Sequence, residues 1–165
     1  MSNSGKPIIV VSKCLGFEPC RYNGSMEPNS FIEVLGNYVE FIKVCPEQGC
    51  GLPTPRGSLK IVENDDGYNV VQNKTNIVLT KELKGFTSKF LSELGEVDGF
   101  ILKSKSPSCG IKDAKIYPKI EKCSSIKRGN GLFADDLKLV LKDEVNQAKI
   151  DGLVERAKAI DPVSL

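Results

Sequence analysis

The hydrophobic pattern opens with Pro7-Ile8-Ile9-Val10-Val11, a continuous apolar run that predicts a strand buried on both faces, as in a parallel sheet. Tyr38 to Val44 and Phe100-Ile101-Leu102 read as two further strands. Between the first two, Asn29 to Leu35 places Phe31, Val34 and Leu35 at helical spacing behind Pro28, with Gly36-Asn37 as a stop. From Lys81 to Val97, apolar residues recur at three and four (Leu83, Phe86, Phe90, Leu91, Leu94, Val97), with Thr80 as the expected N-cap. Leu59 to Val62 and Tyr68 to Val71 flank Asp66-Gly67, which predicts an inserted β-hairpin with both turn positions at positive φ. The tail from Gly131 shows two apolar groups, Leu132 to Leu141 and Leu153 to Ile160, read as two packed helices.

Strand, helix, strand, helix, strand implies right-handed crossovers, and so a Rossmann-like three-layer α/β fold with a mostly parallel sheet. In such sheets ligands bind beyond the carboxyl ends of the strands. Each of the three strands runs directly into a Gly/Pro-rich cysteine motif: Ser12-Lys13-Cys14-Leu15-Gly16 with Cys20-Arg21-Tyr22, Cys45-Pro46-Glu47-Gln48-Gly49-Cys50, and Ser106-Pro107-Ser108-Cys109-Gly110. Cys14, Cys45 and Cys109 therefore converge on one edge, although they are far apart in sequence.

The 165 residues fit one domain, with 1–6 as a flexible start. Lys and Arg number 23 against 21 Asp and Glu, so charge alone does not predict nucleic-acid binding. No apolar run is long enough for a membrane span, and the polar start lacks a signal-peptide centre, which predicts a cytoplasmic protein. In that compartment clustered cysteines are more often metal-binding or catalytic than disulfide-paired. The absence of histidine removes the commonest general base and a common zinc ligand.

A single buried cysteine is usually a small hydrophobe, but three at equivalent strand ends point to a metal or cluster site. Zinc would more often show Cys-x-x-Cys knuckles, whereas iron–sulfur binding needs only thiolates and tolerates wide spacing. Glu47, two residues after Cys45, could shuttle protons or be a solvated loop charge. Arg21 and Arg56 could fork onto a carbonyl or anionic group, or pin loops through ion pairs. Ser106 and Ser108 could donate to a ligand or cap a turn. Lys103 could offset a cluster's negative charge or simply be solvated. Cys20, Cys50 and Cys123 are open between extra ligand, redox thiol and core filler.

These motifs resemble those of the bacterial thiouracil desulfidases: Ser12-x-Cys14-Leu15, Cys20-Arg21-Tyr22-Asn23-Gly24, Cys45-Pro46-Glu47 with Gly51-Leu52-Pro53-Thr54-Pro55-Arg56, and Leu102-Lys103-x-x-Ser106-Pro107-Ser108-Cys109-Gly110. The resemblance implies a single desulfidase domain over 1–165 and a 4Fe-4S cluster on Cys14, Cys45 and Cys109, with one iron open to sulfur. It further implies Glu47 and Ser106 in catalysis, and Ser12, Arg21, Arg56, Lys103 and Ser108 around a small thiolated base or nucleoside. Two departures stand out. The usual Cys-Leu-Leu-Gly is Cys14-Leu15-Gly16-Phe17, and Cys50 replaces a glycine, so that it could supply a fourth thiolate. Gly129 to Ala134 resembles a branch that often carries a second domain, absent here. The expected reaction is hydrolytic C–S cleavage. The rival readings are a non-enzymatic sulfur or iron–sulfur carrier and a structural zinc domain.

Overall fold

The structure, a computed structural model, describes residues 5–140. Its elements in chain order are β1 (Ile8–Ser12), α1 (Ser30–Leu35), β2 (Glu40–Val44), α2 (Pro46–Gly49), β3 (Leu59–Asn64), β4 (Gly67–Gln72), α3 (Thr80–Glu93), β5 (Gly99–Ile101), β6 (Ala114–Tyr117), β7 (Lys127–Gly129) and α4 (Leu132–Val140). No helix among the described residues is long and apolar enough to cross a membrane.

The three apolar runs form a parallel sheet in the order β2-β1-β5, with β1 in the middle. A central parallel strand needs apolar residues on both faces, and the pleat of β1 supplies them. Val10 faces Phe133, Leu137 and the α3 aromatics Phe86 and Phe90. Val11 faces Cys14, Leu15, Cys20 and Ile32, and Ile9 packs with Leu35 and Val39. Helices α3 and α4 thus cover one face, and α1 with the first cysteine loop covers the other, which gives the expected three layers.

The hairpin is part of a second sheet rather than a free insertion. Its strands join in the order β4-β3-β6-β7, with β3 antiparallel to β4 and parallel to β6. Leu59, Ile61, Val70 and Ile116 pack from this sheet onto Leu79 and Leu83 at the start of α3. The expected turn shifts by one residue: Asp65 and Asp66 occupy it, opposite the Asn64–Gly67 pair, and Gly67 alone takes positive φ, at 109°. A residue-67 glycine that carries the left-handed conformation frees both aspartates from adopting it.

Other boundaries differ locally. Asn29 caps α1, its side chain accepting from the Ile32 amide. Thr80 is the first residue of α3 rather than its cap, because its hydroxyl is engaged by Asn69 and the Val70 amide of β4. Val97 lies beyond the helix. The second tail helix falls outside the described residues.

Helix α4 begins against the third cysteine loop. Its first turn would otherwise leave amides unpaired, and the loop carbonyls accept them: Leu132 N–H donates to Pro107 O at 3.0 Å and Ala134 N–H to Ser108 O at 3.1 Å. This contact leaves no room for a side chain at Gly131, where a methyl group would overlap the Ser108 carbonyl and meet the Cys109 amide nitrogen at 2.8 Å. Gly131→Ala should therefore displace the Ser108–Cys109 backbone and cost about 1–3 kcal/mol, the usual range for overpacking. Urea unfolding measures the loss, and unchanged stability would show that the loop yields freely.

Candidate active site

The carboxyl ends of β1, β2 and β5 open into one cavity of about 510 Å³. Its wall includes Cys14, Cys20, Cys45 and Cys109, together with Glu47, Arg56, Arg21, Lys103, Ser106 and Ser108. The fold therefore gathers the three strand-end thiols and adds Cys20, whose motif the sequence had left open. Cys50 does not line this cavity. Its thiol donates to the Glu47 carbonyl at 3.2 Å and its side chain packs with Leu52 on the core of the second sheet. Cys123 lines a different cavity.

Ser12 ties two strand ends together. Buried at the end of β1, its hydroxyl accepts from the Lys103 amide beyond β5 at 2.8 Å and hydrogen-bonds the Cys109 thiol. It is not part of the cavity wall. Lys13 N–H adds a bond to Val44 O at the end of β2, 2.8 Å away. The loops that carry Cys14, Cys45 and Cys109 are thereby anchored to one another at their roots.

Cys45 is the N-cap of α2, and Pro46 fills its first position, where a missing N–H costs nothing. That turn aims Glu47 into the interior. Its Oε1 accepts from the Ser108 hydroxyl at 2.7 Å and its Oε2 from Arg56 Nε at 2.8 Å. Both side chains are out of solvent, Arg56 at 3% and Glu47 at 10% exposed, so Glu47 is not a solvated loop charge. The remaining guanidinium N–H groups reach Cys20 O at 3.0 Å, Thr54 Oγ1 at 3.1 Å and Pro53 O at 3.3 Å. Arg56 is thus committed to protein acceptors and holds Glu47 in place.

Ser106 and Ser108 play different parts. Ser106 Oγ accepts from the Ser108 and Cys109 amides, at 3.2 and 3.0 Å, which caps the turn and leaves its own proton without an acceptor among the described residues. Ser108 gives its proton to Glu47. At the rim, Arg21 and Lys103 share Glu27, at 2.9 and 3.1 Å. Glu27 carries no sequence signal beyond preceding a proline, and only the fold shows its position.

Burial pushes the Cys14 thiol upward, Cys45 adds to the rise, and Lys103 and Arg21 oppose it. Burial, then the neighbouring Cys45 and Cys14, pushes Cys20 up to about 12. Cys109 is raised most of all, by burial, against the Ser12 hydrogen bond. Adjacent buried thiols that resist ionising together are stabilised as thiolates by a cationic centre. Among the described residues, no three Cys, Asp or Glu side chains gather closely enough to hold one metal ion. The four thiols line one cavity, and a donor set of thiolates without histidine is the one that iron–sulfur centres use.

The sequence model of the family described as 2-thiouracil desulfurase matches residues 9–146. An uncharacterized protein of Bacillus subtilis (strain 168), YbbK, is 34% identical over 111 residues, which cover 62% of this chain and 73% of that protein. A solved structure described as the 4Fe-4S-dependent thiouracil desulfidase TudS superposes with a TM-score of 0.64 at 28% identity, covering 82% of this chain and 87% of its own.

The buried ion pair generates a prediction that needs no substrate. Removing one partner leaves the other charge uncompensated, so Arg56→Met should lower stability by about 3–5 kcal/mol in urea unfolding. Arg56→Lys keeps the charge but loses the planar fork, and should fall between that variant and the natural protein. If Arg56→Met unfolds at the same urea concentration as the natural protein, the pair does not anchor the site.

Proposed function

The chain belongs to the 2-thiouracil desulfurase family, and from that premise we propose that it removes sulfur from a thiolated nucleobase or nucleoside by hydrolytic C–S cleavage. The cofactor is a 4Fe-4S cluster held by Cys14, Cys45 and Cys109. The observation that carries this reading is the meeting of these three thiols and a fixed carboxylate, Glu47, in one cavity. When bound, the cluster supplies a Lewis-acidic iron for the departing sulfur.

The protein's own groups supply positioning and proton transfer. Water attacks the thiocarbonyl carbon, oxygen replaces sulfur there, and sulfide leaves with the released protons. Glu47 takes a proton from that water at Oε1, whose partner is the neutral Ser108 hydroxyl, since Oε2 is engaged by the Arg56 cation. Ser106, with its oxygen already accepting from two amides, has its proton free for a ring carbonyl. Lys103 and Arg21 stand at the entrance and favour negative charge developing inside. Ser108 acts through Glu47, and Arg56 acts by holding it.

Anaerobic reconstitution, with iron and sulfide quantified, followed by sulfide release from a panel of thiolated bases and nucleosides tests the reading. Many equivalents of sulfide per protein are expected. A single equivalent would identify a sulfur carrier instead, and bound zinc without iron would sink both. Cys14→Ala, Cys45→Ala and Cys109→Ala should each bleach the iron–sulfur absorbance. Glu47→Gln should keep it while turnover falls by roughly two to four orders of magnitude, the span of general acid–base catalysis. The amide oxygen can still face Arg56 and its NH₂ the Ser108 oxygen, so the site should keep its shape. An unchanged rate would remove Glu47 from the chemistry.

A further inference from the structure

A second cavity, of about 590 Å³, adjoins the first and shares Lys105 and Pro107 with it. Among the described residues, four lysines line it, Lys60, Lys105, Lys115 and Lys122, and no carboxylate does. In a chain of net charge +2 this is a local concentration that overall composition does not produce. Three lysines outside it have carboxylate partners, Lys13 with Glu18, Lys103 with Glu27 and Lys127 with Glu63. Lys105, Lys115 and Lys122 have no ion-pair partner among the described residues.

The wall between these lysines is ordered. Lys60 is held by a hydrogen bond to Ile120 O and lies 5.6 Å over the Tyr117 ring. Asn73 on the rim is fixed by its bond to Ser58 Oγ at 2.8 Å. Lys105 takes a left-handed backbone conformation, φ 60°, unusual for a side-chain-bearing residue, at the junction of the two cavities. Like charges brought together in a concave site repel, and a multiply charged anion with several acceptor oxygens relieves that repulsion.

We propose that this second cavity is a binding site for a phosphate-bearing anion, built by Lys60, Lys105, Lys115 and Lys122. The proposal goes beyond the desulfidase reading and stands without it. Two sources share this chemistry, a phosphate carried by the molecule in the first cavity and a free polyphosphate.

Inorganic triphosphate, titrated calorimetrically into the anaerobically purified protein, is the probe. It should bind, and more weakly as salt rises. Lys115→Gln/Lys122→Gln should weaken binding by about tenfold or more, whereas the charge-matched Lys81→Gln/Lys89→Gln pair on α3 should change it by less than about twofold. No binding by the natural protein, or equal loss in both double variants, would overturn the site, the latter by reducing it to net charge. Competition by a thiolated nucleoside monophosphate but not by the nucleoside would assign the site to the substrate's own phosphate. Competition by neither would assign it to a separate phosphate. Sulfide release plays no part in this readout, so a failed desulfidase reading and a failed anion site give different results.

Discussion

The buried contact between Glu47 and Arg56 constrains the rest of the site. Taking a carboxylate and a guanidinium out of water is costly, and the arrangement holds only if their remaining hydrogen-bonding groups are matched. Here the carboxylate is matched by Arg56 and Ser108, and the guanidinium by Glu47, Cys20 O, Thr54 and Pro53 O. Those partners lie on four separate segments: the start of α2, the first cysteine loop, the 51–56 loop and the third cysteine loop. Moving any of these segments would break a hydrogen bond to one of the two buried charges. The same contact that fixes Glu47 therefore also ties in the loops that carry Cys20 and Cys109.

Parallel strand pairing sets the other half of the geometry. Parallel neighbours end on the same side, so three short apolar strands deliver three loops to one edge without any long-range pairing between the loops. Ser12 then removes the slack by bonding the backbone after β5 and the Cys109 thiol together. Behind them, α4 donates its first amides to Pro107 and Ser108, so the loop that carries Cys109 is held from two sides.

The parallel sheet was legible because it rests on long-range physics with a local signature: a strand buried on both faces must be apolar throughout, as at Ile8 to Val11. The cysteine motifs were legible because Gly and Pro mark the turns that position them. The second sheet was less so, since β6 and β7 are three or four residues each and alternate or are largely exposed, as in Ala-Lys-Ile-Tyr and Lys-Arg-Gly. Arg56 was open in the sequence between a ligand-binding fork and an ion pair that pins loops, and its commitment to four protein acceptors depends on loops that meet only in the fold. The difference between Ser106 and Ser108 turns on which hydroxyl faces α2, a matter of backbone path rather than residue type. Likewise nothing in the residues around Cys50 shows that the exit from α2 turns its thiol onto the core of the second sheet, away from the cavity that Cys20 lines.

Charge explains why so many thiols can share the first cavity. Burial and mutual repulsion raise Cys14, Cys20 and Cys109, yet among the described residues the same wall carries five cationic side chains, Lys13, Arg21, Arg56, Lys103 and Lys105, against Glu27 and Glu47, with Glu18 paired to Lys13 beside it. Arg56 is consumed by Glu47, and Glu27 is divided between Arg21 and Lys103. A positive surplus therefore remains around the opening. It favours anionic sulfur at two stages, as the thiolates of an assembled centre and as the sulfide that would leave a substrate. In a low-dielectric pocket such fixed charges act without having to reorganise. The buried ion pair and the polar rim are thus complementary: the first holds Glu47 in the position its proposed role requires, and the second lowers the cost of negative charge at the opening.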